Sequence, residues 1–307
     1  NELSSNLERK PAGAVRNIQH AVAAAAAAAA AVAAAIAMRH ALCWWKRPRL
    51  ALLNPVVPTS AYSLSVAKML RELCDAIDCR VAIHEVDVAS SPFDSALIEH
   101  FDGFIIPGSV ASAYDKATYP WTSHLEATIR RLHARGRPML GICYGHQIIS
   151  QALGGRVEHN SAGLQAARCE FDVTALGASL GLGDGTAALQ YHHNDCVTRL
   201  PPCAANLGCS ASCPAHASAL FASPTTSRMA VSRGVPADPP IGITLQGHPE
   251  FSTPTGAAIL LDILHGEEGG AERYGDSARD ADGRTAAQAH KITRAVMGLL
   301  WPKAFAE

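Results

Sequence analysis

The chain contains 307 residues, of which 48% are hydrophobic and 17% are charged, and its formal net charge at pH 7 is −1. A chain of this length can bury one full α/β core and little more. The near-zero net charge argues against nucleic acid or an anionic membrane surface as a partner, because both attract proteins rich in Lys and Arg.

Residues 1–47 form an alanine-rich extension, in which the stretch from Ala21 to Met38 is almost pure alanine. Alanine favours a helix and the length approaches that of a membrane span, but alanine is too weakly apolar to hold a segment in a bilayer. Two interpretations stay open. The segment is poor in acidic residues and flanked by arginine, as organelle-targeting leaders are, and it is equally typical of a low-complexity extension.

Strands and helices alternate in the next part of the chain. The apolar stretch Leu50–Leu53 predicts a first strand, and a helix follows it. The apolar face predicted for that helix has the i, i+3, i+4 spacing of an amphipathic helix and consists of Leu64, Ala67, Leu70, Cys74 and Ile77. The later elements predicted in the same way are strands at Arg80–Val88, Phe104–Ile106 and Met139–Ile142, and a helix at Trp121–His133.

This alternation predicts an α/β fold with an open, mostly parallel twisted sheet and helices on both faces. The segment from Gly163 to Thr244 is mainly β in character and predicts a small antiparallel region. Beyond it, Thr285–Leu300 predicts a last helix. The residues expected on one side of that helix are Ala289, Ile292, Val296 and Leu299.

Cys143 stands between two glycines in the heptad Gly141–Gln147, directly after a predicted strand and before an apolar helix start. A strand that turns sharply into a helix through G-x-C-x-G is the cysteine form of a nucleophile elbow. The helix N-terminus favours a thiolate over a thiol. Free cysteines are more often small core residues. A reactive Cys143 therefore also requires a base, a group that orients the base, and an oxyanion site.

The best candidate base is His248, which follows the strand-like run Ile241–Leu245. Pro249 favours an extended backbone at His248, and residues two apart on an extended segment point the same way. Glu250 can therefore lie beside His248, fix its tautomer and stabilise its charged form.

A third stretch contains the predicted strand Phe104–Ile106 and the turn that follows it. Active sites of open parallel sheets form at the carboxyl ends of strands. Backbone N–H groups near Gly108 and Ser109, together with that of Tyr144, are therefore candidates for an oxyanion hole.

The chain has 9 cysteines at irregular spacing, an odd number that matches no disulfide framework. A reducing compartment is therefore predicted, with the cytoplasm as the location and an organelle as the alternative if the extension is a leader. Cys203, Cys209, Cys213 and His216 lie near one another in sequence, but their spacing does not match paired zinc ligands. We predict no metal and no cofactor.

Gly141–Gln147, followed far downstream by Gln246–Glu250, resembles the class I, triad-type glutamine amidotransferase family. The order of the cysteine and the His-x-Glu pair is the family's order. Three further stretches share the resemblance, which covers roughly residues 49–265, a domain-sized segment: Phe104–Ser109, Leu153–Val157 and His193–Pro201. Within the family it is nearest to free-standing members, the GMP-synthase-like amidotransferase domains and the plant-type γ-glutamyl peptidases.

The resemblance implies a flavodoxin-like fold, with Cys143 as nucleophile, His248 as base and acid, and Glu250 as the residue that orients it. It further implies that Gly108 and Tyr144 donate N–H groups to the oxyanion. Residues implied to help recognise the glutamyl group are Gln147, His193 and Asp195. Leu164 and Asn194 depart from residues frequent in these relatives. The departures leave the triad intact and concern the rim of the substrate site.

The resemblance implies hydrolysis of a γ-glutamyl amide bond, in glutamine or in a γ-glutamyl peptide such as a glutathione conjugate. We expect a domain at residues 48–265 and a helical tail at 266–307, too short for an ATP-using synthetase domain. One alternative is a glutaminase subunit that supplies ammonia to a separate synthetase chain. Another is a catalytically quiet binding protein, against which the intact Cys143, His248 and Glu250 argue.

Overall fold

The chain folds around a 9-stranded sheet. The structure, a computed structural model, describes residues 47–280 and 282–305, so nearly all of the predicted alanine-rich extension lies outside the described residues. The strands are β1 Arg49–Asn54, β2 Ala82–Asp87, β3 Gly103–Ile106, β4 Met139–Ile142, β5 Arg156–His159, β6 Gln165–Val173, β7 Thr186–His193, β8 Asp195–Arg199, β9 Ala204–Cys209, β10 Ala217–Leu220 and β11 Gly242–Leu245.

Eight α-helices are described in residues 47–280 and 282–305. They are α1 Ala61–Ala76, α2 Trp121–Ala134, α3 Tyr144–Ala152, α4 Ala175–Ser179, α5 Pro224–Arg233, α6 Pro254–Gly266, α7 Gly270–Arg279 and α8 Arg284–Leu300. Short 3-10 helices lie at Ser95–His100, Pro249–Ser252 and Pro302–Phe305.

The sheet has a parallel half and an antiparallel half, in the order β2-β1-β3-β4-β11-β10-β9-β6-β7. β2, β1, β3, β4 and β11 run parallel to one another, and β11, β10, β9, β6 and β7 pair antiparallel along the rest of the sheet. A separate antiparallel pair joins β5 to β8. The predicted α/β class, with parallel strands and helices on both faces, is confirmed, and the antiparallel region, predicted as small, makes up the other half of the sheet.

The central parallel strands are short and buried along their whole length, as strands covered on both faces by helices are. Every residue of β3, β4 and β11 is buried. Because all three strands end at the same edge of the sheet, the segments that follow them lie side by side. Those segments contain the predicted oxyanion turn, Cys143 and His248.

The burial predicted for α1 is wrong at Leu64, whose side chain is 61% exposed. The other four predicted residues, Ala67, Leu70, Cys74 and Ile77, are buried as expected. The buried face is wider than predicted and also includes Tyr62, Val66, Met69 and Leu73. Tyr62 lies on the buried face and donates a hydrogen bond to a buried carboxylate. Periodicity predicts the helix and most of its buried face, but it does not decide which residue at the margin is buried.

The C-terminal helices pack against the same hydrophobic core as the sheet. Ala289, Ile292 and Val296 of α8 are buried as predicted, whereas Leu299 is only partly buried against the core. The indole N–H of Trp301 donates to the backbone of Asp102 at 3.3 Å, beside β3. Among the described residues, no helix has both the length and the apolarity that crossing a membrane requires.

Candidate active site

Cys143 occupies a strained junction between β4 and α3. Its φ angle is 50°, which is rare for a residue with a side chain, and it caps the N-terminus of α3. The two flanking glycines leave no room for a side chain. A Cβ on Gly145 would lie 1.9 Å from the carbonyl oxygen of Ile106, and one on Gly141 would lie 2.7 Å from that of Gly145. This is the geometry of a nucleophile elbow, with the thiol at the helix N-terminus.

His248 and Glu250 form a buried pair just beyond the end of β11. The Nδ1 atom of His248 donates to Oε1 of Glu250 at 2.8 Å, and the carboxylate is 0% exposed. The backbone N–H of His248 is held by the carbonyl of Gln190 at 2.7 Å. The position of the residue and the orientation of its ring are therefore fixed from two directions.

The structure brings Cys143 and His248 together because their strands are neighbours. β11 pairs with β4 in parallel, and the N–H of Cys143 donates to the carbonyl of Leu245 at 2.8 Å. Burial by itself lowers the pKa of His248, but the charges and hydrogen bonds of Cys143 and Glu250 raise it to about 10. The imidazole and the sulfur are therefore close enough to interact through a hydrogen bond and through their charges.

Tyr62 is a site residue that the sequence reasoning missed. Its hydroxyl donates to Oε1 of Glu250 at 2.7 Å and accepts from the N–H of Gly108 at 3.1 Å, and its ring meets the His248 ring edge-on at 5.5 Å. Burial and the charge of Glu250 raise the pKa of Tyr62 well above its ordinary value, so the phenol stays a donor. Its position directly after the loop at the carboxyl end of β1 was the signal available in the sequence.

The turn after β3 provides backbone donors beside the thiol. The N–H of Gly108, a predicted oxyanion donor, is bonded to the Tyr62 hydroxyl. The N–H of Ser109 has no acceptor among the described residues, and that of Tyr144 lies in the first turn of α3, where no intrahelical acceptor exists. Gly145 donates to the carbonyl of Pro107 at 3.1 Å and so ties the turn to α3.

Asp195 is the centre of a hydrogen-bonded group on one side of the site. Its carboxylate accepts from Ser112 at 2.6 Å and from Tyr114 at 3.0 Å. Its carbonyl accepts from the side chains of Gln147 and His193, each at 2.8 Å. Burial lowers the pKa of His193 to about 3, so the ring is neutral at physiological pH. Gln147 and His193 thus hold the Asp195 backbone in place.

A cavity of about 650 Å³ opens above the sulfur. Of the predicted site residues, those that line it are Ser109, Cys143, Gln147, His193, Asp195 and His248. Glu250 lies behind His248, and Gly108 and Tyr144 contribute backbone beneath the cavity floor. The volume exceeds what a glutamine side chain needs, so a larger γ-glutamyl compound also fits.

Two of the residues considered for zinc, His216 and Cys213, have other partners. His216 bonds through Nδ1 to the Tyr191 hydroxyl and through Nε2 to Ser210, both at 2.8 Å. The Cys213 thiol donates to the carbonyl of Ala215 at 3.5 Å. Within the part of the chain that the structure describes, no three His, Cys, Asp or Glu side chains are grouped to hold a metal ion.

The family model of the class-I glutamine amidotransferases matches residues 61–265, which contain the elbow, the His248–Glu250 pair and the Asp195 group. The chain belongs to the class-I glutamine amidotransferase family. The match covers more than half of the chain and begins just before Tyr62.

Several curated amidotransferases are similar to this chain over part of their length. The GMP synthase of Bordetella parapertussis is 32% identical over 139 residues, which is 43% of this chain and 25% of that protein. A glutamine amidotransferase-like protein of Schizosaccharomyces pombe is 26% identical over 71% of this chain and 85% of its own length. Gamma-glutamyl peptidase 5 of Arabidopsis thaliana is 37% identical over 71 residues, covering 23% of this chain and 28% of the peptidase.

Solved structures of other proteins share the fold of this chain. A glutamine amidotransferase of Thermotoga maritima matches with a TM-score of 0.63 at 13% identity, covering 85% of this chain and 99% of its own. A glutamine amidotransferase from Methylobacillus flagellatus matches with a TM-score of 0.59 at 18% identity. The match covers 85% of this chain and 96% of the Methylobacillus chain. At these identities the likeness concerns the flavodoxin-like α/β fold alone.

Proposed function

We propose that the protein hydrolyses a γ-glutamyl amide bond through a thioester on Cys143. The single observation that supports it most is the placement of His248, which lies beside the thiol, is bonded to the buried Glu250 at 2.8 Å, and lines the cavity. A nucleophile, a base and a group that orients the base are the requirements of covalent acyl transfer.

In the proposed reaction the Cys143 sulfur attacks the γ-carbonyl carbon of the substrate. The oxyanion is stabilised by the free N–H groups of Ser109 and Tyr144, and removal of one such donor typically costs about a hundredfold or more in rate. His248 gives its proton to the departing nitrogen as the carbon–nitrogen bond breaks. It then takes a proton from water, which attacks the thioester, breaks the carbon–sulfur bond and releases glutamate.

The glutamyl end of the substrate is assigned to the side of the cavity that contains Asp195. The carboxylate of Asp195, which accepts from Ser112 and Tyr114, is suited to bind the α-ammonium group of the glutamyl end. We call this side the acyl wall, and its residues are Ser112, Tyr114, Gln147, His193 and Asp195.

A second candidate function is that of a glutaminase subunit that passes ammonia to a separate synthetase chain. The similarity to GMP synthases favours it, because the matched segment is only a quarter of the Bordetella protein. The two candidates share the same chemistry at Cys143. They differ in whether the released amine or ammonia leaves into solution or is passed to a synthetase chain.

Purified protein incubated with glutamine and, separately, with glutathione tests both candidates. Ammonia and glutamate are followed in the first reaction and the freed dipeptide in the second, with Cys143→Ser as the inactive control and Cys209→Ser as a control for loss of a cysteine elsewhere. Glutamate release that Cys143→Ser abolishes supports the hydrolase. Turnover of glutamine only when a synthetase chain is added supports the subunit. Absence of turnover under every condition supports a binding protein and contradicts the proposal.

A further inference from the structure

His248 marks the side of the cavity at which the leaving amine lies, because the imidazole that protonates the amine nitrogen has to reach it. Phe251 stacks on the His248 ring with 4.3 Å between centroids, and α6 begins three residues after Phe251. Tyr62, which follows the loop after β1, meets the same ring edge-on at 5.5 Å. The loop after β1 and α6 therefore form this side of the cavity. We call it the amine wall, and its residues are Thr59, Ser60, His192, Asp262 and Ile263.

The amine wall carries negative charge. Asp262 is exposed on α6 at the cavity, and its carboxylate makes no hydrogen bond or ion pair with the described residues. His192 lies 3.2 Å from the carboxylate of Glu267 through its Nε2 atom. Burial, together with the charge of His248, lowers the pKa of His192, so the ring is neutral at physiological pH and does not offset Glu267.

Positive charge is scarce around the whole cavity. None of the described residues that line it is Lys or Arg. His248 is paired with Glu250, and His159, which lies 3.7 Å from Asp195, faces the acyl wall. The charge of His248 is thus paired with Glu250, and no Lys or Arg among the described lining residues offsets the charge of Asp262 at the amine wall.

We propose that the cavity selects γ-glutamyl amides whose leaving amine is cationic or uncharged, and discriminates against those whose leaving amine carries a carboxylate. The inference rests on the proposed function and concerns only the amine that departs. The glutamyl part already brings one carboxylate into a cavity poor in cations, and a second one would lie against Asp262. Diamines, simple alkylamines and ammonia are the favoured products, and amino acids and peptides are disfavoured.

A series of γ-glutamyl amides of matched length isolates the charge of the leaving group. The amides of 1,4-diaminobutane, n-butylamine and 4-aminobutanoate have the same chain and differ in the charge at its far end. We expect kcat/KM to fall in that order, by about five- to tenfold between the cationic and the anionic amide, as partly exposed charges produce. At 0.5–1 M salt the Debye length falls to about 3–5 Å, so the difference in kcat/KM between the amides should become smaller.

Two matched variants locate the effect. Asp262→Asn removes the charge of the amine wall and should bring the kcat/KM values of the cationic and the anionic amide close together. Asp184→Asn removes the same charge from an exposed loop that does not line the cavity, and should leave the order unchanged. Titration of Cys143→Ser with the three amides gives a second readout, binding, that needs no turnover.

The outcomes separate the inference from the proposed function. Equal or faster hydrolysis of the 4-aminobutanoate amide, or discrimination that persists in Asp262→Asn, overturns the inference and leaves the hydrolase standing. No hydrolysis of any of the amides, glutamine included, overturns the proposed function and the inference with it. The expected order, lost in Asp262→Asn and kept in Asp184→Asn, supports both.

Discussion

Tyr62 and Glu250 lie 188 residues apart in the chain and are joined by a buried hydrogen bond of 2.7 Å. The same phenol accepts from the N–H of Gly108, so one hydroxyl connects the carboxylate that orients His248 with the turn beside the thiol. Two parts of the site that have to be aligned in the proposed reaction are thus held by a single side chain.

Tyr62→Phe is expected to lower kcat about tenfold with little change in KM. It removes a donor from Glu250 and leaves the Gly108 N–H without a partner, a loss of about 1–3 kcal/mol for a buried group. With one donor fewer, Glu250 holds the imidazolium of His248 more strongly, so the alkaline limb of the kcat profile should move to higher pH. That pH shift is a readout that a merely structural role would not change.

The control for this variant is Tyr274→Phe, a partly buried tyrosine on α7 whose hydroxyl makes no hydrogen bond among the described residues. It should leave rate and pH profile unchanged. A Tyr62→Phe enzyme with wild-type kcat and an unmoved alkaline limb would show that the phenol has no positioning role.

Glu250→Gln is expected to reduce kcat by about a hundredfold or more, since the carboxylate fixes the His248 tautomer and stabilises its charge. Steady-state kinetics with glutamine measures it, and the isosteric amide keeps the packing. Glu158→Gln, which changes a half-exposed carboxylate on β5 that pairs with Arg156 and does not line the cavity, is the control. Retention of most of the activity in Glu250→Gln would contradict the proposed role of the carboxylate.

The raised pKa of His248 makes stability fall with alkaline pH. Because the folded-state pKa of about 10 exceeds the ordinary value of 6.5, its contribution is fully present below pH 6.5 and is lost as pH rises towards 10. We expect the free energy of unfolding, measured with urea, to decrease by about 2 kcal/mol or more across that window.

Cys143→Ser tests the cause of this pH dependence. The thiolate is among the groups that raise the pKa of His248, so the alkaline loss of stability should be smaller in this variant. Cys209→Ser should behave like the wild type. An identical pH dependence in all three proteins would mean that His248 does not interact with the sulfur.

Gly145→Ala is expected to destabilise the protein by about 3 kcal/mol and to abolish activity, because the new methyl group meets the Ile106 carbonyl at 1.9 Å. Gly266→Ala places the same group where no atom lies within 4 Å and should be tolerated. Thermal unfolding of both variants gives the comparison. A Gly145→Ala protein with wild-type stability and rate would show that the elbow does not require the close approach of α3 and β3.

Local patterns in the sequence were sufficient to predict the elbow, the spacing of His248 and Glu250, and the alternation of strands and helices. Each depends on neighbours a few residues away. The glycines near Cys143 indicate that another backbone segment approaches closely. Pro249 restricts the backbone conformation of His248. Both effects are local and do not depend on the rest of the chain. The α/β class followed from the same kind of pattern.

Contacts between distant segments were decided by the tertiary structure alone. Periodicity predicts Leu64 on the buried face of α1, whereas the structure buries Tyr62, whose hydroxyl donates to the carboxylate of Glu250 far along the chain. Likewise, the partner of the Gly108 N–H and the charge of the amine wall depend on which strands and helices meet. Hydrophobic periodicity predicts which face of a helix is buried on average. It does not predict which group satisfies a particular buried polar atom, because that partner is set by the segments that the fold brings together.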